Sequence, residues 1–277
     1  MSGAARSMQL LPNYLLLTIF LLIVLLPILG ITLSAFKTDA EIVAGPFSLP
    51  SEWSLDAFKR AWTVGHFNQY FRSSTIVSTA VVIASTFLSI LSGYAFGVMR
   101  FPLQRLVYFV MLIGFMVPFE AVVIPLYHIM NRFGLTDSYW ALILPQIGQS
   151  ISFGTLWMTS TFLSMPQELI DASALDGCNR WQSLWRVLFP ISKPAVFTLV
   201  VLFFMWTWNE FLLALVMVQQ ESLRTLPVGL AFFQGRYTSD IPLMAAGSLI
   251  VAGPIILIYI LFQRFFIKGL MGGAVKG

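Results

Sequence analysis

Acidic and amide side chains stand inside long apolar runs at Glu120, Gln146, Gln149, Asn209 and Glu210. An ionisable group at membrane depth is costly and marks function by default. Amides and carboxylates can hydrogen-bond hydroxyl groups, and a carboxylate can also carry a proton. Trp206 and Trp208 stand beside the last two, and aromatic faces cover apolar surface. Other chemistry is excluded by residue type and spacing. The single cysteine, Cys178, rules out an internal disulfide and a Cys-based metal cluster. His66 and His128 are too far apart for a helical two-His metal site, so no metal ligands are expected. No H-E-x-x-H motif occurs, and no lysine follows a glycine, so there is no phosphate loop. Gly148-Gln149-Ser150 resembles a buried serine nucleophile only weakly, and neither histidine has a matching context. No catalytic residue is assigned.

The elements that must position these residues are membrane helices. The chain has 277 residues, 58% hydrophobic and only 10% charged. A soluble domain carries about 25% charged residues, because water-exposed surface needs them and lipid-exposed surface does not. A helical span needs about 20 mostly apolar residues. Runs of that kind place spans at 14–33, 75–98, 106–130, 139–162, 195–218 and 243–266, in one transmembrane domain over 1–277. The first apolar run is longer than the roughly 7–15 residues of a signal-peptide core, so it is expected to be retained. This is an all-α membrane protein with six transmembrane helices.

Basic residues set the orientation. One set of loops carries Arg6, Arg100, Arg105, Arg180, Arg186, Lys193, Arg264, Lys268 and Lys276. The opposite set carries Lys37, Lys59, Arg60, Arg72, Arg132, Arg224 and Arg236, of which four cluster in or beside the long segment from Phe36 to Phe71. Both termini are therefore expected in the cytoplasm. The net charge of +4 reflects this loop bias and not nucleic-acid binding.

The segment between spans four and five is patterned. Ser164 with Gln167 forms a possible capping box, and Pro166 fits a first helical turn. Asn179 with Gln182 makes a second such start, and Gly177 between them suits a left-handed turn. Pro190 is expected to stop the second helix. Trp181, Leu184, Trp185 and Leu188 recur at i, i+3, i+4 and i+7, which gives that helix one apolar face. Two short helices joined by a glycine turn could lie on the headgroups or dock a soluble partner; the pattern alone leaves both open.

Asp171-Ala172-Ser173-Ala174-Leu175-Asp176-Gly177, followed by Leu188-Phe189-Pro190 and Pro194, resembles the EAA loop of ABC importer permeases. Asp171 replaces the family's Glu and Ser173 its second Ala, while Cys178 takes a position where a small residue is usual. Gly134-Leu135-Thr136-Asp137-Ser138-Tyr139, Leu144-Pro145, Trp208-Asn209-Glu210 and Gly273-Ala274-Val275-Lys276-Gly277 resemble the carbohydrate, maltose-permease-like branch. The resemblance implies the type I importer fold with a cytoplasmic EAA coupling loop over 164–190. It implies ATPase coupling through Glu168, Asp171, Ala172, Ser173, Asp176, Gly177, Arg186 and Pro190. It also implies a sugar-importing heterodimer with a second permease, two ATPase subunits that use ATP and Mg, and an extracytoplasmic solute-binding protein. The chain itself would bind no cofactor. It would work by alternating access in the inner (plasma) membrane of a prokaryote.

At about 1.5 Å rise per residue, Glu120, Gln146 and Glu210 fall roughly 12–14 Å below the outer span ends. Hydrogen bonding between packed helices explains any one of them. As a layer from three spans, with Gln149, Asn209, Trp206 and Trp208, they suit a hydrated pathway for a sugar. Pro118, Pro125, Pro145 and Pro254 are expected to bend helices around it. The competing reading is an ion-coupled secondary transporter using Glu120 or Glu210, although such a carrier needs no ATPase dock.

Overall fold

A computed structural model describes residues 3–45, 47–236 and 240–274, with side-chain surroundings over 12–45, 47–233 and 240–265. Val275, Lys276 and Gly277 of the C-terminal motif lie outside the described residues. Helices α1 (Gly3–Ser34), α2 (Asp39–Ala44), α3 (Asp56–Thr63) and α4 (Phe67–Gly97) open the chain. They are followed by α5 (Gln104–Met116), α6 (Phe119–Arg132), α7 (Tyr139–Leu163) and α8 (Gln167–Leu175). Then come α9 (Arg180–Gln182), a π-helical stretch (Ser183–Leu188), α10 (Phe189–Trp208), α11 (Leu212–Met217), α12 (Leu226–Arg236) and α13 (Ile241–Ala274). No strand occurs among the described residues. The chain packs into two compact units, 1–67 with 230–252, and 68–229 with 253–277.

Among the described residues, four helical stretches are long and apolar enough to cross a membrane: Pro12–Ser34, Phe67–Gly97, Arg180–Trp208 and Ile241–Phe265. The expected third span, 106–130, is not one helix. It breaks between Met116 and Phe119, and the two halves are bent by 100°. Pro118 sits at the break, where it cannot donate a backbone hydrogen bond. Pro125, Pro145 and Pro254 lie inside unbroken helices, so of the four expected interruptions only Pro118 coincides with one. Helix α7 matches the expected fourth span in position but is not among these four stretches. Its Gln146, Ser150, Ser152, Thr155 and Thr159 are buried, because α5, α10 and α11 pack around it.

The expected fifth span, 195–218, is displaced. Helix runs without a stop from Arg180 to Trp208, through both Pro190 and Pro194. Proline is tolerated because of the π-helical stretch ahead of it. Phe189 N–H bonds Leu184 O, five residues back, so the wider turn shifts the carbonyl register just before Pro190. Pro190 then enters within the first turn of α10, where a missing N–H costs least. The span ends at Trp208, and α11 starts at Leu212 after a gap of three residues.

Helices α4 and α7 approach closely along a seam of small residues. Ser85, Ser89, Gly93 and Gly97 recur every fourth position on α4. A Cβ on Gly93 would collide with Met158, one on Gly97 would stand 3.0 Å from Phe162 Cβ, and one on Gly154 would collide with Ser89. Ser92 and Thr155 hydroxyls hydrogen-bond across the seam at 2.7 Å. Small residues let membrane helices gain dispersion contact that larger ones would block.

In the first unit, Ala35, Ala57, Ala245 and Ala246 form a small core beside Phe36 and Phe58. Thr38 and Glu41 cap α2 reciprocally. Hydrogen bonds from the Ser51 hydroxyl, and then from the backbone at Thr38 and Ser51, hold the Glu41 carboxyl down at about 2. Lys37 is buried and its Nζ donates to Gly45 O at 2.9 Å. Arg60 pairs with Asp240.

Candidate functional site

The hairpin between α7 and α10 is built from local rules. Ser164 does not start a helix, contrary to the expected Ser164–Gln167 box. It ends α7, and its hydroxyl donates to Thr161 O at 2.8 Å. Pro166 is the N-cap of α8, and Gln167 donates instead to Asp171 at 3.2 Å. The physical reason is that the α7 chain still has unpaired carbonyls at Ser164, so the serine serves the end behind it. Asn179 and Gln182 do form a capping box, with bonds of 3.0 and 2.9 Å in the two directions.

Between the helices, Gly177 takes φ +77. Its N–H bonds Ala174 O at 3.1 Å, and Cys178 N–H bonds Ser173 O at 3.0 Å. This paired arrangement closes α8 and requires a left-handed residue. A Cβ at Gly177 would meet nothing within 4 Å, so the backbone alone selects glycine there. Ser173 and Ser183 are both buried, and their hydroxyls lie 2.7 Å apart. Leu184 and Leu188 are 1% exposed and pack with Tyr94, Met158 and Phe162. Of the expected apolar face, Trp185 is half-buried against Phe87 and Phe189, and Trp181 stays exposed. Glu168, Asp171, Ala172, Asp176, Gly177, Arg186 and Pro190 are all exposed, whereas Ser173 points into the packing. Leu175, on the same short helix, is 90% exposed. The hairpin therefore presents charged and apolar groups outward on a locked frame.

Three residues of the polar layer, Glu120, Asn209 and Glu210, fall at or beside helix breaks, and the other four lie within α7 and α10. Glu120 lies in the first turn of α6, just past the bend at Pro118, and is exposed. Glu210 lies in the gap between α10 and α11, where its Oε1 accepts from Leu213 N at 2.5 Å and so caps α11. Helices α6 and α11 pack on each other, and the two carboxylates are close enough to interact electrostatically. The two interrupted spans thus bring Glu120 and Glu210 together. Asn209 is exposed, with its Nδ2 donating to Met205 O at 2.8 Å. Gln149 is exposed and Trp206 is half-exposed against Phe153, ring centroids 5.0 Å apart. Two candidates are placed elsewhere. Gln146 is buried and its Nε2 donates to Leu142 O of its own helix at 2.9 Å. Trp208 is 2% exposed, between Phe71 and Phe204.

Two structural residues carried no expectation of a role. Asp137 has φ +54 and its Oδ1 accepts from Gln219 N at 2.6 Å and Gln220 N at 3.0 Å, while Asp137 N–H bonds Met217 O. It ties the α6–α7 turn to the end of α11. Aspartate tolerates left-handed backbone better than most residues, and its place after Gly134 is the only sequence signal. Ser183 is the second.

Residues 85–270 match the family described as "Binding-protein-dependent transport system inner membrane component". The chain is 36% identical to the probable ABC transporter permease protein YurM of Bacillus subtilis (strain 168), over 94% of this chain and 87% of the relative. It is 33% identical to the arabinooligosaccharides transport system permease protein AraQ of Halalkalibacterium halodurans, over 92% of each. A crystal structure of a bacterial ABC transporter involved in import of the acidic polysaccharide alginate has a chain of the same fold, with a TM-score of 0.79 and 24% identity over 96% of this chain and 99% of that one.

Proposed function

The chain belongs to the family of binding-protein-dependent transport system inner membrane components, and from that premise we propose that it is a permease subunit of an ATP-driven importer of a sugar or sugar-like solute. Relatives named for transport of arabinooligosaccharides and of starch degradation products support the carbohydrate class. The observation that carries the coupling role is the exposed, doubly locked hairpin at 164–190. Its outward Asp171, Asp176 and Arg186 suit a soluble ATPase partner, and a headgroup-lying hairpin has no need of the buried Ser173–Ser183 bond.

In this reading the chain crosses the membrane six times. The bent α5–α6 pair and α7 supply the third and fourth crossings, and both termini lie in the cytoplasm. A second permease, two ATPase subunits that consume ATP with Mg, and an extracytoplasmic solute-binding protein complete the importer. The chain performs no covalent chemistry. The helix from Arg180 to Trp208 is continuous with the hairpin, so it acts as a lever about 43 Å long at 1.5 Å per residue. One end carries the ATPase contact. The other ends beside Asn209 and Glu210, where the solute pathway would run past Glu120, Gln149 and Trp206. Movement of the ATPases would thereby switch the pathway between its two faces.

The experiment is uptake of labelled oligosaccharides by vesicles carrying the assembled transporter with its binding protein. Uptake should require ATP and survive collapse of the proton gradient. Uptake that instead stops with the gradient and ignores ATP would overturn the reading in favour of an ion-coupled carrier.

A further inference from the structure

We propose that the α4–α5 turn holds the headgroup of one anionic phospholipid, with Arg105 as its charge partner. The inference rests on the orientation proposed above, which puts this turn at the cytoplasmic face. A cavity of about 390 Å³ opens there, lined by Phe96, Gln104, Arg105, Tyr108, Thr159 and Leu163. Its frame is built by specific contacts. Gln104 Nε2 donates to Phe96 O at 2.7 Å and so serves one of the last carbonyls of α4. Leu103 takes φ +62, a left-handed conformation that costs a leucine energy, at the start of α5. Phe96 packs against both Phe101 and Tyr108, with ring centroids 5.4 Å apart in each pair.

The lining has one sign of charge. Arg105 is exposed, no acidic side chain lines the cavity, and Arg105 forms no salt bridge among the described residues. Thr159 is 4% exposed and its hydroxyl has no hydrogen-bond partner among the described residues, which leaves a donor for a headgroup oxygen. The rest of the wall is aromatic and aliphatic. The complement is therefore an anion joined to apolar material. Helix α5 says where that material goes. Leu106, Phe109, Val110 and Ile113 are each more than half exposed and follow one another along the helix at i, i+3, i+4 and i+7. This apolar row lies on the face of α5 turned from Gln104 and Tyr108, with Arg105 at the border between row and cavity, so an acyl chain would lie along the row with its headgroup reaching round to Arg105. A free phosphate makes no use of it. Basic pockets at the cytoplasmic ends of membrane helices recognise anionic lipid by this combination of charge and apolar surface.

The test is native mass spectrometry and melting of the purified transporter complex, titrated with dioleoyl-phosphatidylglycerol, dioleoyl-phosphatidylcholine or glycerol phosphate. Wild type should retain phosphatidylglycerol preferentially and melt higher with it. Arg105→Gln should bind it about fivefold more weakly, the loss expected for one basic residue at an anionic surface, and Arg105→Lys should recover most of that. Equal retention of the two lipids by wild type, or unchanged phosphatidylglycerol binding in Arg105→Gln, would overturn the proposal. So would an equal effect of glycerol phosphate, which would make the site one for a soluble anion. Orientation is read separately by labelling Leu103→Cys in a Cys178→Ser background with an impermeant thiol reagent. Labelling only after the cytoplasmic side is opened supports the site. Labelling from outside intact cells overturns its leaflet, whatever lipid is retained.

Discussion

The hydroxyls of Ser173 and Ser183 meet at 2.7 Å across the Gly177 turn, both shielded from solvent, and join the two helices of the hairpin. Ser173 also donates to Ile170 O at 2.7 Å, so the shared proton between the serines comes from Ser183. The two truncations are therefore unequal. Ser183→Ala leaves Ser173 still bonded and should cost about 0.5–1.5 kcal/mol, whereas Ser173→Ala strands the buried Ser183 hydroxyl and should cost about 1–3 kcal/mol. The double variant should be less damaging than the sum. Melting temperatures of the assembled complex check the order, and additive losses would show that the pair is not coupled.

Gly177 should be sensitive to substitution for a reason of backbone and not of space. A side chain there has room but must adopt φ +77, at about 1–2 kcal/mol for an ordinary residue. Gly177→Val should leave the spans inserted and abolish transport, and Gly177→Asn should be milder because asparagine visits this region more readily. Substrate-stimulated ATP hydrolysis is the readout. Normal stimulation in Gly177→Val would remove the turn from the coupling route.

The α4–α7 seam separates two kinds of clash. A Cβ at Gly93 meets Met158 Cβ and its carbonyl carbon at 2.9 Å, which no rotamer change relieves. A Cβ at Gly154 meets chiefly the Ser89 side chain, with Phe203 Cζ at 2.9 Å. Gly93→Ala should therefore lower the melting temperature more than Gly154→Ala. Adding Ser89→Gly should recover part of the loss in Gly154→Ala and none in Gly93→Ala.

The hairpin was legible in the sequence where its signals are local. Asn179 with Gln182 and the glycine at 177 each act over a few residues, and each is found as read. Ser164 and Pro190 were misread because their local signals have two solutions. A serine near a helix junction can serve either helix, and a proline stops a helix unless a wider turn precedes it, as the π-helical stretch does here. The polar layer was legible in part. Apolar runs place Glu120 and Glu210 within expected spans, but do not show that the helices break beside them. Gln146 is buried and satisfies its amide on its own helix, through Leu142 O, because a buried polar group needs a hydrogen-bond partner.

Glu120 and Glu210 should respond differently to substitution, although they sit together at two helix breaks. Glu210 holds the start of α11 through Leu213 N. Glu210→Ala should therefore cost about 1 kcal/mol, as the loss of a helix cap does, and lower the melting temperature whatever the solute. Glu120 is exposed in the first turn of α6 and has no such anchoring bond among the described residues. Glu120→Gln should leave the melting temperature nearly unchanged and alter uptake unequally across a set of sugars, since specificity is a difference between affinities. Asn209→Ala loses only the bond to Met205 O and should fall between the two. The measurement sets uptake of several oligosaccharides beside the melting temperature of the same complex. If uptake in Glu120→Gln falls by one factor for every sugar and tracks a lower melting temperature, Glu120 is a packing residue and the solute pathway lies elsewhere.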